Sequence, residues 1–378
     1  MVDSAYALRR LSLTAFRNYP ALRLDVAAQP VVLVGPNGGG KTNILEAISL
    51  LSPGRGLRRA SLADLQSRQS EAPWAIVAEI DNPAGFATLA TGLDPEASGL
   101  PKRLVRVDGK PARNQSVFLE QLNLSWVTPE LDRILAEGQS ARRKLLDRLV
   151  YGFDPAHAGR VTRYEESMRE RLRLLRDGPA EPAWLNALED VMATSGTAIA
   201  AARLQMAQQL NAQMAQVKGA FPAAELQLTG LVEESLRQNP ALVTEDVLRM
   251  KLAAARNYDQ QSGTTSMGPQ RSDLTVIHRP QNMPAELCST GEQKALLITI
   301  MLCHAQLLRQ WRGVTPLLLL DDIASHLDAV RRDALYEWLL AAGSQFWLSG
   351  TETALFSGLQ GKAQFFHVQQ NGVKALAF

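Results

Sequence analysis

One stretch of this chain has the residue types and order needed to hold phosphate: Gly35-Pro36-Asn37-Gly38-Gly39-Gly40-Lys41-Thr42. Glycines let successive backbone N–H groups turn inward on an anion, and a helix N-terminus adds its positive dipole end. Lys41 is placed to neutralise the β- and γ-phosphates of a nucleoside triphosphate such as ATP, and the Thr42 hydroxyl to ligate Mg2+. The pattern has this meaning only between a strand and a helix. Val31 to Val34 is a short apolar run that reads as a buried strand. Ile44, Leu45, Ile48 and Leu51 recur at helical spacing until Pro53-Gly54 stops the pattern.

A second run, Leu317-Leu318-Leu319-Leu320-Asp321-Asp322, reads as a buried parallel strand ending in two acids, the form of a Walker B motif. Asp321 would hold Mg2+, and Asp322 would polarise an attacking water. The plain alternative is a strand followed by an ordinary acidic turn. A third run, Cys288-Ser289-Thr290-Gly291-Glu292-Gln293-Lys294, opens a helix shortly before those acids. Here Ser289 and Glu292 can cap the helix reciprocally. A capped helix N-terminus is also a ready phosphate site, so a structural and a functional role are compatible.

The elements that must position these residues fall into three stretches. The first, 1–140, is β-rich. Leu8 to Phe16 alternates, Trp74 to Ile80, Phe86 to Thr91 and Leu104 to Val107 look like a meander, and Asp108-Gly109 marks a hairpin turn. From 141 to 256 strand signals fade and helix formers dominate, with breaks near Gly152 to Pro155, Gly178 to Pro182 and Phe221-Pro222. This is expected to be a helical arm, too interrupted for a long coiled coil. Residues 257–268 read as a return linker. The last stretch, to 378, resumes an α/β alternation: a helix from Gly291 to Trp311, the strand Leu317 to Leu320, a helix from Ala329 to Ala342, and the strand Phe346 to Ser349. The expected fold is α/β, an ATPase head split by an inserted helical arm.

Composition bounds the function. The 378 residues are 46% apolar and 21% charged, the profile of a globular protein. A net charge of +2 makes no compositional case for nucleic acid, so any basic surface must be local. Candidate clusters are Arg55, Arg58 and Arg59; Lys102, Arg103 and Arg106; and Arg142, Arg143 and Lys144. Each could track phosphates, but for any one cluster a solvated mixed-charge face is the stronger reading. Cys288 and Cys303 make neither a disulfide framework nor a metal spacing, and His157, His278, His304 and His326 form no metal or nucleophile constellation. Arg9, Arg10 and Arg17 interrupt any signal peptide, and no apolar run approaches the roughly 20 residues of a membrane span. A cytoplasmic protein with no membrane partner is expected.

In the third run, Ser289, Gly291 and Gln293 occupy the Ser, Gly and Gln places of the Leu-Ser-Gly-Gly-Gln signature of ABC ATPases, which the run resembles. Ser325-His326-Leu327-Asp328 stands where those proteins carry the D-loop, and Thr351 replaces the usual switch His. The order of motifs, with a long insertion after the P-loop, resembles the SMC-like ABC ATPases. Phe16-Arg17-Asn18-Tyr19, the stretch from Lys41 through Asn43 to Ile48, and Gly268-Pro269-Gln270-Arg271-Ser272-Asp273-Leu274 narrow the resemblance to the RecF family. The family pattern at the last of these is Gly-Pro-His-Arg-Asp-Asp-Leu, so Gln270 and Ser272 depart from it.

This resemblance implies an ATP-dependent homodimer in which Ser289, Gly291 and Gln293 of one copy complete the P-loop site of the other. Catalytic roles would fall to Lys41, Asp322, Ser289 and Thr351, nucleotide contacts to Gly35 through Asn43, and Mg2+ to Thr42 and Asp321. It further implies a weak DNA-stimulated ATPase that binds double-stranded and gapped or single-stranded DNA and works with RecR and RecO. Two other readings are weighed. A transporter's nucleotide subunit would have a shorter helical insertion and a recognisable Q-loop. A head of another SMC-like complex stays open, although a nuclease-associated one would need a further acidic metal cluster.

Overall fold

The computed structural model describes residues 6–95, 101–128, 134–178, 181–370 and 372–377. It divides into two compact units: Met1–Leu131 with Gly219–Phe221 and Met301–Phe378, and Asp132–Lys218 with Pro222–Ile300.

The first unit holds two six-stranded sheets. One is antiparallel, in the order Tyr19–Asp25, Ala7–Phe16, Ala75–Asn82, Gly85–Leu93, Arg103–Val107, Lys110–Pro111. Its strands alternate as expected for one covered face: Leu11, Leu13, Ile76, Ala78, Ile80, Leu89 and Val105 are buried in a core shared with Leu45 and Ile48 of the helix Lys41–Ser49. The Asp108-Gly109 turn is a two-residue hairpin with positive φ at both positions (49° and 76°) between the paired Val107 and Lys110, as a type I′ turn requires.

The other sheet runs Gly372–Leu376, Gln364–Gln369, Val31–Val34, Phe346–Gly350, Leu317–Leu320, Leu124–Val127, and all its pairings except the first are parallel. Val31–Val34 and Phe346–Gly350 are buried along their whole length, which is why they read as unbroken apolar runs. Leu124–Val127, Gln364–Gln369 and Gly372–Leu376 carry no strand signal in the sequence. Short mixed sequences such as Leu124-Ser125-Trp126-Val127 carry too little periodicity to register.

The second unit contains the helices Gln139–Tyr151, Ala156–Arg176, Pro182–Met214, Leu231–Gln238 and Ala241–Ala254. Two expectations change here. The arm is not all helix: Ala224–Thr229 is a strand, with Ala224, Leu226 and Leu228 buried and the residues between them less so. It pairs with a further strand, Asp273–His278, so residues that the sequence reading assigns to the second part of the head belong to this unit. Nor is 257–268 simply a linker. Arg256–Ser262 is helical and ends at Gly263, whose φ of 66° makes it the C-cap, so the Gly/Ser/Thr-rich signal belongs to the turn after the helix. The break expected at Gly178 to Pro182 lies partly outside the described residues.

Buried charge is organised in this unit. Arg171, fully buried, donates to Glu189 at 2.8 Å, to Asp259 at 2.7 Å and to the Leu252 carbonyl at 2.7 Å. Arg203 makes a bidentate pair with Asp147 (2.7 and 2.8 Å), which also meets His157 Nε2 at 2.8 Å. Burial opposes ionisation of Asp147, but hydrogen bonds from His157 and Arg203 outweigh it and hold its carboxyl below the usual range. The stretch Gly268 to Asp273 is pinned throughout: Arg203 to the Pro269 carbonyl at 2.8 Å, Tyr164 to Gln270, Ser272 to Glu233 at 2.5 Å, and Arg142 to Asp273 at 2.9 Å. Both departures from the family pattern, Gln270 and Ser272, therefore have side-chain partners of their own.

Candidate nucleotide site

The strand Val31–Val34 leads into the glycine turn, and Leu317–Leu320 leads into the two acids. Phe346–Gly350 lies between them, and the three are parallel, so their carboxyl ends share one edge of the sheet. Ligands of open parallel sheets bind outside that edge.

The turn is built by close approach. A side chain on Gly35 would run into the Val368 carbonyl, and one on Gly40 into the Tyr19 hydroxyl. Gly40 has φ 107° and caps the helix Lys41–Ser49, a conformation that suits glycine. The preceding hairpin grips this helix from outside. Arg17, itself at φ 54°, makes a bidentate pair with the buried Glu46 (2.8 and 2.6 Å), and Asn43 donates to Asn18 at 2.6 Å. Phe16-Arg17-Asn18-Tyr19 thus acts as a clamp on the P-loop helix.

Asn37, Gly38, Gly40, Lys41, Thr42 and Asn43 line one pocket together with Asp321 and Asp322. Thr42 Oγ1 donates to Asp321 Oδ1 at 3.0 Å, and Lys41 Nζ donates to the carbonyls of Gly35 (2.7 Å) and Pro36 (2.9 Å). Burial pushes the Lys41 ammonium down, opposed by the charges of Asp322 and Asp321. Burial pushes the Asp321 carboxyl up, opposed by hydrogen bonds from Ser349 and Thr42. A divalent cation beside Thr42 and Asp321 would favour the ionised carboxylate, so the donor set fits a hard, oxygen-seeking ion. Asp322 sits at φ 48°, and its Oδ1 accepts from Ser325 at 3.0 Å.

Two further residues of this pocket have roles that the sequence does not assign them. Arg58, placed among the DNA candidates, lines this pocket and donates to Asn43 Oδ1 at 2.7 Å. Ser349 is legible in sequence only as the strand end just before Thr351. Its hydroxyl donates to Asp321 Oδ1 at 2.6 Å and accepts the Asp322 N–H at 2.9 Å, so it fixes both acids. The signal was a lone polar residue closing the apolar strand Phe346-Trp347-Leu348. Thr351, expected as the switch, is not among the lining residues.

Ser289, Gly291 and Gln293 belong to the second unit, at the start of the helix Thr290–Arg312. The reciprocal cap is present: Ser289 N and Oγ both donate to Glu292 Oε2 at 2.9 Å, and Glu292 N donates to Ser289 Oγ at 3.3 Å. Gln293 donates to the Cys288 carbonyl at 3.0 Å.

The parallel sheet, the glycine turn and the paired acids define a P-loop head of the ABC/SMC ATPase fold. The family model for the RecF/RecN/SMC N-terminal domain matches residues 7–374. The chain is 46% identical over 368 residues to the DNA replication and repair protein RecF of Mesorhizobium japonicum, covering 97% of each. It is 43% identical over 378 residues to that of Agrobacterium fabrum, covering 99% of this chain and all of the relative. A solved structure of the recombination mediator protein RecF-ATPrS in the RecFOR pathway superposes with a TM-score of 0.86 over 99% of both chains at 21% identity. An Smc head domain from Pyrococcus furiosus gives 0.54 at 14% identity, over 98% of this chain and 96% of its own. The chain belongs to the RecF family of DNA replication and repair proteins.

Proposed function

We propose that this protein binds ATP and, in doing so, forms a homodimer on duplex DNA near single-strand gaps, with slow DNA-stimulated hydrolysis releasing it. The observation that carries this reading is the Thr42–Asp321–Ser349 cluster beside Lys41, at the end of three parallel strands. The N–H groups from Gly38 to Asn43 and the Lys41 ammonium would hold the phosphates, and Thr42 and Asp321 would hold Mg2+. That ion, when bound, offsets phosphate charge. Asp322 would orient and deprotonate the attacking water. Ser289, Gly291 and Gln293 of a second copy would close the site, and the γ-phosphate sensor would stand where Thr351 follows the strand Phe346–Gly350. The setting would be the cytoplasm, in support of recombinase loading with RecR and RecO.

The test is sedimentation of Asp322→Asn with ATP and duplex DNA. This variant keeps the Thr42–Asp321 pair but loses the base, so it should bind ATP and accumulate as a DNA-bound dimer. An Asp322→Asn protein that stays monomeric with saturating ATP would overturn the reading.

A further inference from the structure

The structure sorts the basic clusters of the sequence into committed and free. Arg58 is held by Asn43 and Glu46 in the nucleotide pocket, Arg142 by Asp273, and Arg143 by the Ser272 carbonyl. Arg103 is also committed. It donates to the carbonyls of Leu50 and Gly54 (2.7 Å), to Thr91 Oγ1 (2.7 Å) and to Gln115 Oε1 (3.1 Å), and it has no recorded carboxylate partner. Burial pushes its guanidinium down to about 10, so it stays charged at neutral pH.

These bonds have a consequence for the surface. Gln115 also accepts the Gly54 N–H at 2.8 Å, so the loop after the P-loop helix is tied to the edge of the antiparallel sheet. Arg55 on that loop, Lys102 and Arg106 at the strand Arg103–Val107, and Lys110 and Arg113 around the edge strand are all exposed. Among the described residues none of these five forms an ion pair. The one acid in the segment 101–117 is Asp108, which accepts the Thr88 N–H. Five exposed cations and the half-buried Arg103 therefore stand along this sheet edge and the loop tied to it, against two acids, Asp108 and the Asp94 whose N–H donates to the Lys102 carbonyl.

We propose that this edge is the duplex-DNA contact of the protein, through phosphates alone. This rests on the DNA-binding reading above. Arg and Lys without carboxylate partners gain by displacing counterions from a polyanion, whereas paired ones must first break a bond. The ladder between Arg103–Val107 and Gly85–Leu93 and the Arg103 anchor hold the cations on rigid elements, which suits a stiff duplex. Phe118, below the Arg103 guanidinium, is buried, and the exposed aromatic on the neighbouring strand, Phe86, is a single ring at its outer end rather than the series of rings on which successive bases of a single strand stack. The competing role for such charges is protection of an open sheet edge from pairing with another chain.

The experiment compares full-length Arg55→Gln/Arg106→Gln/Arg113→Gln with wild type and with Arg163→Gln/Arg169→Gln/Lys251→Gln, which removes three exposed cations from the second unit. Duplex and single-stranded binding are titrated with a non-hydrolysable ATP analogue at several salt concentrations. The edge variant should lose roughly tenfold or more in duplex affinity at 0.1 M salt. Its slope of log K against log salt should fall by about 0.9 for each cation that touches a phosphate. Nucleotide affinity should be normal, and the second-unit variant should bind DNA like wild type. The double Arg55→Gln/Lys102→Gln changes exposed side chains outside the strand Arg103–Val107 and should show a smaller loss in the same direction even if the triple variant aggregates. Duplex binding that is unchanged in both edge variants, while Lys41→Ala abolishes it, overturns the edge and leaves edge protection as its role. A preference for single strands at this edge, or an equal loss in the second-unit variant, overturns it as well. Absence of nucleotide-dependent DNA binding in wild type would instead remove the reading on which the edge depends.

Discussion

The hydroxyl of Thr42 donates to Asp321 Oδ1 at 3.0 Å across 279 positions of sequence. The two groups expected to share a metal ion are thus already in contact, and Ser349 holds the same carboxylate oxygen from the other side. Thr42→Ala should lower Mg2+-dependent nucleotide affinity by roughly tenfold or more, since even partners that only orient a metal's ligands are worth roughly ten- to a hundredfold. Asp321→Asn should do the same. Fluorescent-nucleotide titrations with Mg2+ and with EDTA check this, and equal affinities in both media for wild type would sink it.

Lys41 is tied to the Gly35 and Pro36 carbonyls, so it also stabilises the turn. Lys41→Ala should abolish tight ATP binding in a protein that is less stable but still folded, since two hydrogen bonds from a charged donor, about 1.5 kcal/mol or more each, are lost. Nucleotide titration together with the thermal midpoint separates the two effects. Normal affinity in a folded variant would contradict the assignment.

These residues were legible because phosphate chemistry demands special types at adjacent positions, as in Gly38-Gly39-Gly40-Lys41-Thr42. What lay between them was not. Ser349 reads as an ordinary strand end until the sheet order places Phe346–Gly350 between the P-loop strand and the acids. Arg103 and Arg106 look equivalent in sequence, but one side chain turns inward onto backbone carbonyls while the other faces solvent. Alternation on a strand shows that they can differ, not which is anchored. The strand Ala224–Thr229 was hidden because its partner, Asp273–His278, lies far along the chain, and non-local pairing leaves no local trace.

Buried and exposed arginines on one helix should differ sharply in their worth. Arg171→Met leaves Glu189 and Asp259 buried, although Arg256 still reaches Glu189 and Ser266 still donates to Asp259. A loss of about 3 kcal/mol is expected, the lower end for a broken buried pair. Arg173→Met, whose partner Glu170 lies on the surface, should leave the urea midpoint unchanged. Urea unfolding of both variants decides, and equal midpoints would refute the contrast.

Stability should fall in alkali. Burial holds the Cys303 thiol and the Tyr19 phenol up at about 12. In the unfolded chain such groups ionise near about 8.5 and 10. The folded state therefore keeps protons that the unfolded state releases. Their contribution is complete below about pH 8.5 and declines as pH rises toward the folded values, by up to about 1.4 kcal/mol per pH unit for each group. Urea midpoints between pH 8 and 11 should show this decline, and Cys303→Ala should flatten it. A midpoint that rises with pH would show the sign to be wrong.

Ser289 separates a capped helix from a working signature. Its side chain and Glu292 already cap the helix Thr290–Arg312, so Ser289→Ala should cost about 1 kcal/mol whatever else the residue does. If Ser289 and the N–H groups around Gly291 also reach the γ-phosphate held by another copy, Ser289→Arg places a bulky side chain where phosphate must approach. ATP binding to the monomer should then be near normal, while ATP-driven dimerisation and cooperative hydrolysis are lost. A mixture of Ser289→Arg and Lys41→Ala proteins contains heterodimers with one composite site intact in both halves and one defective in both. Partial recovery of hydrolysis on mixing is expected if an intact site can act alone. A helix cap with no further role predicts instead a slightly destabilised protein that dimerises normally with ATP. Sedimentation of Ser289→Arg with ATP distinguishes the two, and a normal dimer would end the proposal that the signature acts between copies.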